Sequence, residues 1–530
     1  MSSQTETSNP ANRQIARAAG IVMAAFILSN LVGLLAKTMT AHAFGTGAES
    51  EAFFAANRFS EVLFNLVAGG ALGSAFIPTF TGLLVQKDRQ RAWQLASAVA
   101  NLLVIVLVAF SLLTILFSRQ VVHYILAPGF SHVDPAKEAL AAELLRIQIP
   151  SAVIFGLSGL VMGILNAHQR FLLPAIAPAM YQIGWVAGVL VLSPRLGVQG
   201  LSIGILMGSC FHLLVQIPQL LKLPQASYKL IIGLNLPSVH EVMRLMAPRL
   251  LGVAVVQLNF LLNTHLASLQ SEGSVTAISL AFPLMIMPQA VIAQSMAIAA
   301  LPTFSAQVAR NKFDEMRSSL AATLRGILLL SIPSSVGLIL LRKPIVALLY
   351  QGGRFCSEST DLVAWALLWY AVGLVGHCIV EIISRAFYAL HDTKTPVFIG
   401  VGAMSLNLVL SILFSAWFER LGWMPHGGLA LANSLATSLE GGVLVFIMHR
   451  RLKGMYGHNI LRSAFKALLA ASGLGIAIWF WIEKMQAIAN WQLVIGGIFL
   501  GVVVYSLLLV ATGIAEVGIV ISWLRKYFNR

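Results

Sequence analysis

Apolar residues run along this chain in long stretches, each closed by a short polar or charged loop. Between Asn101 and Ser118 only Ser111 and Thr114 interrupt the apolar side chains. A helical run of about 20 apolar residues crosses a bilayer. The pattern predicts about fourteen such spans, near 16–43, 52–84, 92–117, 138–167, 172–193, 198–221, 241–269, 275–307, 319–341, 362–390, 396–416, 428–449, 461–483 and 491–523. Several exceed the length that a bilayer requires, which suits tilted helices. The expected fold class is therefore an all-α polytopic membrane protein.

The loops between spans alternate in charge. One set holds Arg13 and Arg17; Lys87, Arg89 and Arg91; Arg170; Lys222 and Lys229; Arg310, Lys312 and Arg317; Lys394; Arg450, Arg451 and Lys453; Arg525 and Lys526. The other set is poorer in basic residues, with Arg342, Lys343 and Arg354 as the main exceptions. Basic loops stay on the cytoplasmic side. Both termini are expected there, in a multi-pass protein of a cytoplasmic membrane.

The chain also repeats itself. Ala75-Phe76-Ile77-Pro78-Thr79-Phe80 is echoed by Ala300-Leu301-Pro302-Thr303-Phe304, with the prolines 224 residues apart. Ala127-Pro128-Gly129-Phe130 is echoed by Gly352-Gly353-Arg354-Phe355, and His168 leading to Pro174 by His391 leading to Pro396. An offset of about six spans preserves orientation, so the repeat is parallel, a common way to build a transporter. The expected organisation is an N-terminal lobe (1–222), a cytoplasmic linker (223–240), a C-terminal lobe (241–450) and two extra spans (451–530). The substrate path is expected between the lobes.

Composition narrows the function. The chain is 58% hydrophobic and 10% charged, against about 25% charged in a soluble domain. Its formal charge of +15 is spread between spans and not gathered on one face, which argues against nucleic acid. The three cysteines, Cys210, Cys356 and Cys378, show no disulfide or metal spacing. No Walker loop, His/Cys metal cluster or nucleophile elbow is present. The expectation is a secondary transporter, not an enzyme, with no catalytic residue, metal or cofactor.

Charges inside spans are costly and mark function or pairing. Lys37, Arg58 and Glu61 lie roughly 10–15 Å from the outer ends of their helices at ~1.5 Å per residue. They line a cavity for an anionic headgroup, or form a one-turn Arg58–Glu61 pair with Lys37 reaching to the surface. His377, Glu381 and Arg385 are spaced to share one helix face. They serve either as an ion-coupling relay or as an ion pair that closes the cytoplasmic end. Arg249 follows Pro248 and either meets a phosphate or caps a kinked helix. Gln257, Asn259 and Asn263 form a polar stripe, as do Gln289 and Gln294. Amides inside spans commonly join helices, and Asn259 is also a cavity candidate. Gly69-Gly70 and the Pro283/Pro288 pair mark bends or close packing.

Several motifs carry a resemblance: Phe44-Gly45-Thr46-Gly47 with Glu51-Ala52-Phe53-Phe54; Ala127-Pro128-Gly129-Phe130; Gly163-Ile164-Leu165-Asn166 with Arg170-Phe171 and Pro174; Pro333-Ser334-Ser335-Val336; Gly353-Arg354-Phe355; and Phe387-Tyr388 with Asp392-Thr393-Lys394-Thr395-Pro396. In this order the chain resembles the MurJ/MviN family of the multidrug/oligosaccharidyl-lipid/polysaccharide exporter class. The resemblance implies two six-helix lobes, two extra helices that hold a lipid tail, and a cationic cavity for a pyrophosphate-sugar headgroup. It implies a flippase for lipid II, the undecaprenyl-pyrophosphate-linked peptidoglycan precursor, working by alternating access. Usual cavity arginines are replaced by Asn30, Ala36 and Phe64, with Asn65 following, and a usual Arg…Glu pair falls on Pro283 and Ile286. Asn30 and Asn65 thereby join the cavity candidates. The alternatives are a flippase for another polyprenyl-linked glycan, a drug/cation antiporter using Glu61 and Glu381, or a scaffold for other cell-envelope synthesis proteins. Membrane lipids are partners in each.

Overall fold

The computed structural model describes residues 10–67, 71–485 and 488–512. Among them the fold is helical, and the only extended pairing is a single bridge between Gly352 and Phe355. The chain forms two compact units, Met1–Leu269 and Gln270–Arg530.

The first unit contains α1 (Pro10–Phe44), α2 (Ala48–Val67), α3 (Ala71–Val85), α4 (Arg89–Leu116), α5 (Pro135–Gln148), α6 (Ser151–Ala167), α7 (Leu172–Ala187), α8 (Val198–Leu214) and α9 (Pro237–Ser268). The second contains α10 (Ser274–Gln289), α11 (Ser295–Ala309), α12 (Phe313–Tyr350), α13 (Ser357–Val372), α14 (Leu374–Ala389), α15 (Lys394–Arg420), α16 (His426–Arg451), α17 (Gly457–Lys484) and α18 (Asn490–Ala511). Ten described spans are long and apolar enough to cross a membrane, or twelve if each of two bent helix pairs is one span. The other two expected spans, 16–43 and 52–84, correspond to α1 and to α2 with α3, and the second includes residues 68–70, which lie outside the described set. The Gly69-Gly70 pair also lies outside it.

Helix starts follow local chemistry. Asp88 accepts a hydrogen bond from the Arg91 N–H, and Asp134 from the Ala136 N–H with Pro135 at the first helical position. The Pro283/Pro288 expectation resolves into a π turn, Ala290–Gln294, between α10 and α11. Such turns release a helix from its regular ladder.

The repeat is visible in the backbone as well as in the sequence. Lys87 (φ 61°) and Asn311 (φ 55°) are left-handed and, like Pro78 and Pro302, stand 224 residues apart. Gln169 and His391 share φ 58° and each precedes its Pro174 or Pro396 by five residues. At all four ends the left-handed residue donates three residues back and its successor five residues back. This pairing closes a helix and satisfies its last carbonyls.

Packing in the first unit depends on glycine. A β-carbon on Gly184 would lie 2.2 Å from Gly208 Cα, and one on Gly188 2.6 Å from Gly204 Cα. Thus α7 and α8 meet backbone to backbone, as small residues at four-residue spacing allow. The helix α9 packs on α2 and α3, which is why contacts gather it into the first unit, although the sequence repeat begins a lobe with it.

Candidate functional site

Of the two readings offered for Lys37, Arg58 and Glu61, the one-turn Arg58–Glu61 pair is present. Arg58 Nη1 stands 2.8 Å from Glu61 Oε2, and Asn57 Nδ2 donates to Glu61 Oε1 at 3.0 Å. Both Glu61 oxygens are therefore engaged. The Arg58 guanidinium lies 5.5 Å from the Phe260 ring centre on α9, a cation–π distance. Lys37 feels the attraction of Glu61 and the repulsion of Arg58. With Lys37 on α1, the region holds two basic side chains and one carboxylate. The Arg58 and Glu61 side chains are 24% and 36% exposed, so the pair is partly open at the surface of the protein.

Neighbouring helices hold this cluster in place. Trp185 Nε1 donates to Thr40 Oγ1 at 3.0 Å, tying α7 to α1 one turn past Lys37. Tyr181 on α7 is within electrostatic reach of Glu61. A β-carbon on Gly33 would sit 3.2 Å from Gln182 Nε2, so this glycine brings α1 close to α7. Asn65 Nδ2 donates to Gln257 Oε1 at 3.3 Å, and joins α2 to α9. Asn259 is buried on α9. Asn30 is exposed on α1, two turns before Lys37. Arg249 lies on an exposed part of α9 and is not among the charges acting on Lys37. Phe64, at a usual arginine position, meets the Phe155 ring at a tilt of 53° with centroids 4.5 Å apart; an aromatic contact stands where the charge usually does.

In the second unit the His377/Glu381/Arg385 face divides. Arg385 Nη2 donates to Glu381 Oε1 at 2.8 Å and packs against the Tyr388 ring at 5.8 Å. His377 Nε2 instead contacts Asn433 Oδ1 at 3.2 Å on α16. Glu440, also on α16, acts on Tyr388 together with Glu381 and Arg385. The same unit has an open, shallow groove of about 350 Å³, mostly apolar, lined by Val336, Ile339 and Leu340 of α12 and Ser472, Gly475, Ile476 and Trp479 of α17. Gln289 is buried beside the π turn, and its side-chain oxygen has no hydrogen-bond partner among the described residues.

Sequence reasoning missed three features. Glu51 and Lys137, placed in or beside loops, form an ion pair with side chains 2% and 4% exposed. Nothing local signals a pair 86 residues apart. Glu440 was legible as an acid inside a span. Tyr181 and Gln182 gave no charge signal and enter the cluster only through helix packing. Among the described residues no group of three or more His, Cys, Asp or Glu is arranged to hold a metal ion.

Comparison with known proteins places this geometry in context. A family model described as lipid II flippase MurJ matches residues 40–499. A lipid II flippase MurJ of Burkholderia cenocepacia is 31% identical over 81% of this chain and 82% of its own length. A probable lipid II flippase MurJ of Vibrio cholerae is 29% identical over 95% of this chain and 97% of its own. A solved lipid II flippase MurJ in an inward closed conformation superposes with TM-score 0.79 at 26% identity, covering 92% of this chain and 97% of that one. An inward-facing multidrug resistance MATE family transporter superposes with TM-score 0.67 at 15% identity, covering 82% and 98%; that likeness concerns the fold alone.

Proposed function

The chain belongs to the lipid II flippase MurJ family, and from that premise we infer that it is itself a lipid II flippase. It moves the lipid-linked peptidoglycan precursor from the inner to the outer leaflet of a bacterial cytoplasmic membrane. The process is translocation and calls for no covalent step. Alternating loop charge supports cytoplasmic termini.

The physical task has two halves. A polar, anionic headgroup must cross a low-dielectric layer, while the prenyl tail stays in hydrocarbon. The Lys37/Arg58/Glu61 cluster supports the first half, and it is the observation that carries the assignment of residues. Its two basic side chains attract a pyrophosphate, and Glu61 orients Arg58 while limiting how tightly the anion is held. A flippase needs that limit, because a site that binds too strongly does not release. Asn30, Asn65 and Asn259 supply neutral donors near the same helices, and Arg249 a more distant cation. The shallow apolar groove between α12 and α17 supports the second half, a resting place for tail carbons. The Glu381–Arg385 pair acts as a gate contact and not as a relay through His377, which is engaged with Asn433.

Complementation tests this assignment. Cells depleted of their own lipid II flippase should grow when this chain is expressed. Rescue should fall with Lys37→Ala or Arg58→Ala, and less with Arg249→Ala. A fully inserted chain that never rescues such cells would sink the lipid II assignment.

A further inference from the structure

A non-helical strap, 224–236, leads from the first repeat into α9 and is clasped onto α4 by two buried polar side chains. Asn101 Nδ2 donates to the Lys229 carbonyl at 3.1 Å and the Ile231 carbonyl at 2.8 Å. The Tyr228 hydroxyl donates to Asn101 Oδ1, and the Lys229 N–H donates to Ser97 Oγ at 3.1 Å. Gly233 is left-handed (φ 66°), and a β-carbon on it would lie 2.6 Å from Ala98 Cβ. Ile231 and Leu236 pack into the core beneath.

The opposite side of the strap is apolar and uncovered. Leu230 is 87% exposed, and Tyr228, Ile232 and Leu234 are 67%, 50% and 51% exposed. From Leu230 to Leu234 exposed positions alternate with the partly covered Ile231 and Gly233, along a pinned segment. Leu230, Ile232 and Leu234, held outward in register, form a surface and not scattered exposure.

The position of the clasp identifies what covers that surface. From Ser97 to Leu116, α4 runs about 20 residues, ~30 Å, the thickness of the hydrocarbon layer. The far half of α4 presents Ile105, Val106, Leu112, Leu113 and Leu116, all more than half exposed, as a lipid-facing helix does. Ser97 and Asn101 thus lie at the inner edge of the hydrocarbon. Arg89 and Arg91 lie about 9–12 Å further out, at headgroup depth, and Lys222 and Lys229 add exposed positive charge to the same region. The clasp removes the usual objection to irregular backbone near lipid, because Asn101 and Ser97 satisfy its polar groups.

We propose that the strap is a membrane-interface anchor: Leu230, Ile232 and Leu234 insert into the inner leaflet beneath its headgroups. The connection between the two repeats is then held at the bilayer surface and does not hang free in the cytoplasm.

The test uses full-length protein in nanodiscs of phosphatidylethanolamine and phosphatidylglycerol. Spin labels are placed singly through Leu230→Cys, Ile232→Cys and Leu234→Cys, in a chain carrying Cys210→Ser, Cys356→Ser and Cys378→Ala. Gln225→Cys serves as the water-facing reference. Labels at all three outer positions should collide at least several-fold more with oxygen, relative to a water-soluble nickel chelate, than the label at 225. Nickel accessibility equal to that at 225 would overturn the proposal and leave the surface for a soluble protein partner. Hydroxyl-radical labelling of the unaltered chain gives a second measurement free of cysteine changes. Leu230 and Ile232 should be protected in nanodiscs despite their exposure, and oxidation at the rate of exposed His391 would equally overturn the proposal.

Discussion

Lys137 Nζ is paired with the Glu51 carboxylate in a site where both side chains are almost fully enclosed. The same ammonium lies 4.3 Å from the Phe130 ring centre. One charge pair therefore joins the start of α2, the helix α5 and the Ala127–Phe130 motif. Desolvation makes such a pair a weak source of net stability but a costly one to break. Glu51→Ala or Lys137→Met alone is expected to destabilise the protein by about 3–5 kcal/mol. An apolar double replacement should cost much less than the sum. A double-mutant cycle on thermal unfolding decides this, and additive single effects would contradict it.

Gly129, in the same motif, donates its N–H to Ser268 Oγ at 3.3 Å. A β-carbon there would lie 1.9 Å from the Ser268 carbonyl oxygen, whereas one on Gly337 meets nothing within 4 Å. Gly129→Ala should lower the melting temperature markedly, since the obstacle is backbone and cannot swing aside. Gly337→Ala should be neutral or slightly stabilising, as alanine favours helix. Equal melting temperatures for the two variants would show that the end of α9 does not press on this loop.

Asp392 ties the start of α15 to the end of α16. Its carboxylate accepts from the Lys394 and Thr395 N–H groups and the Thr395 hydroxyl, and pairs with Arg451. Burial alone would raise its carboxyl, but the bonds from Thr395 and Arg451 outweigh that and hold it at about 2. A depressed folded-state value stabilises the fold above the unfolded value of about 3.9, and that contribution is lost as pH falls toward 2. Asp392→Ala should cost about 1 kcal/mol at neutral pH, as for a lost helix cap. The gap in melting temperature between wild type and Asp392→Asn should narrow from pH 7 to pH 3. A gap independent of pH would refute the ionic part of this role.

Arg385 offsets Glu381 on α14, with Glu440 within electrostatic reach of the same Tyr388. Arg385→Ala leaves Glu381 without that cation. Transport should fall at least several-fold, and Arg385→Ala/Glu381→Ala should recover part of it. A double variant no better than the single would mean that Arg385 serves something other than this pair.

How much was legible in the sequence depends on the range of each interaction. Helical spans and the repeat are local patterns: an apolar run, or Pro78 followed by a left-handed Lys87, needs no knowledge of tertiary contacts. The Arg58–Glu61 pair was legible as one of two readings, because residues three apart share a helix face, and a fixed helical rise set the expected depth of Lys37. The partner of His377 was not, since shared spacing on α14 says nothing about the facing helix, and that helix supplies Asn433. Glu51 and Lys137 looked like loop charges for the same reason. Phe64 shows the converse case: the sequence records a missing arginine, and only packing shows that Phe155 fills the space beside it.

The central claim is that the cationic cluster of the first unit carries a lipid-linked anionic headgroup. Purified protein in proteoliposomes, loaded with fluorescent lipid II and probed from outside with a membrane-impermeant quencher or modifying reagent, tests it most directly. The wild-type chain should expose lipid II to the outer reagent, while Lys37→Ala/Arg58→Ala, inserted and folded to the same extent, should do so at least tenfold more slowly. Equal rates for the wild type and the double variant would contradict the account.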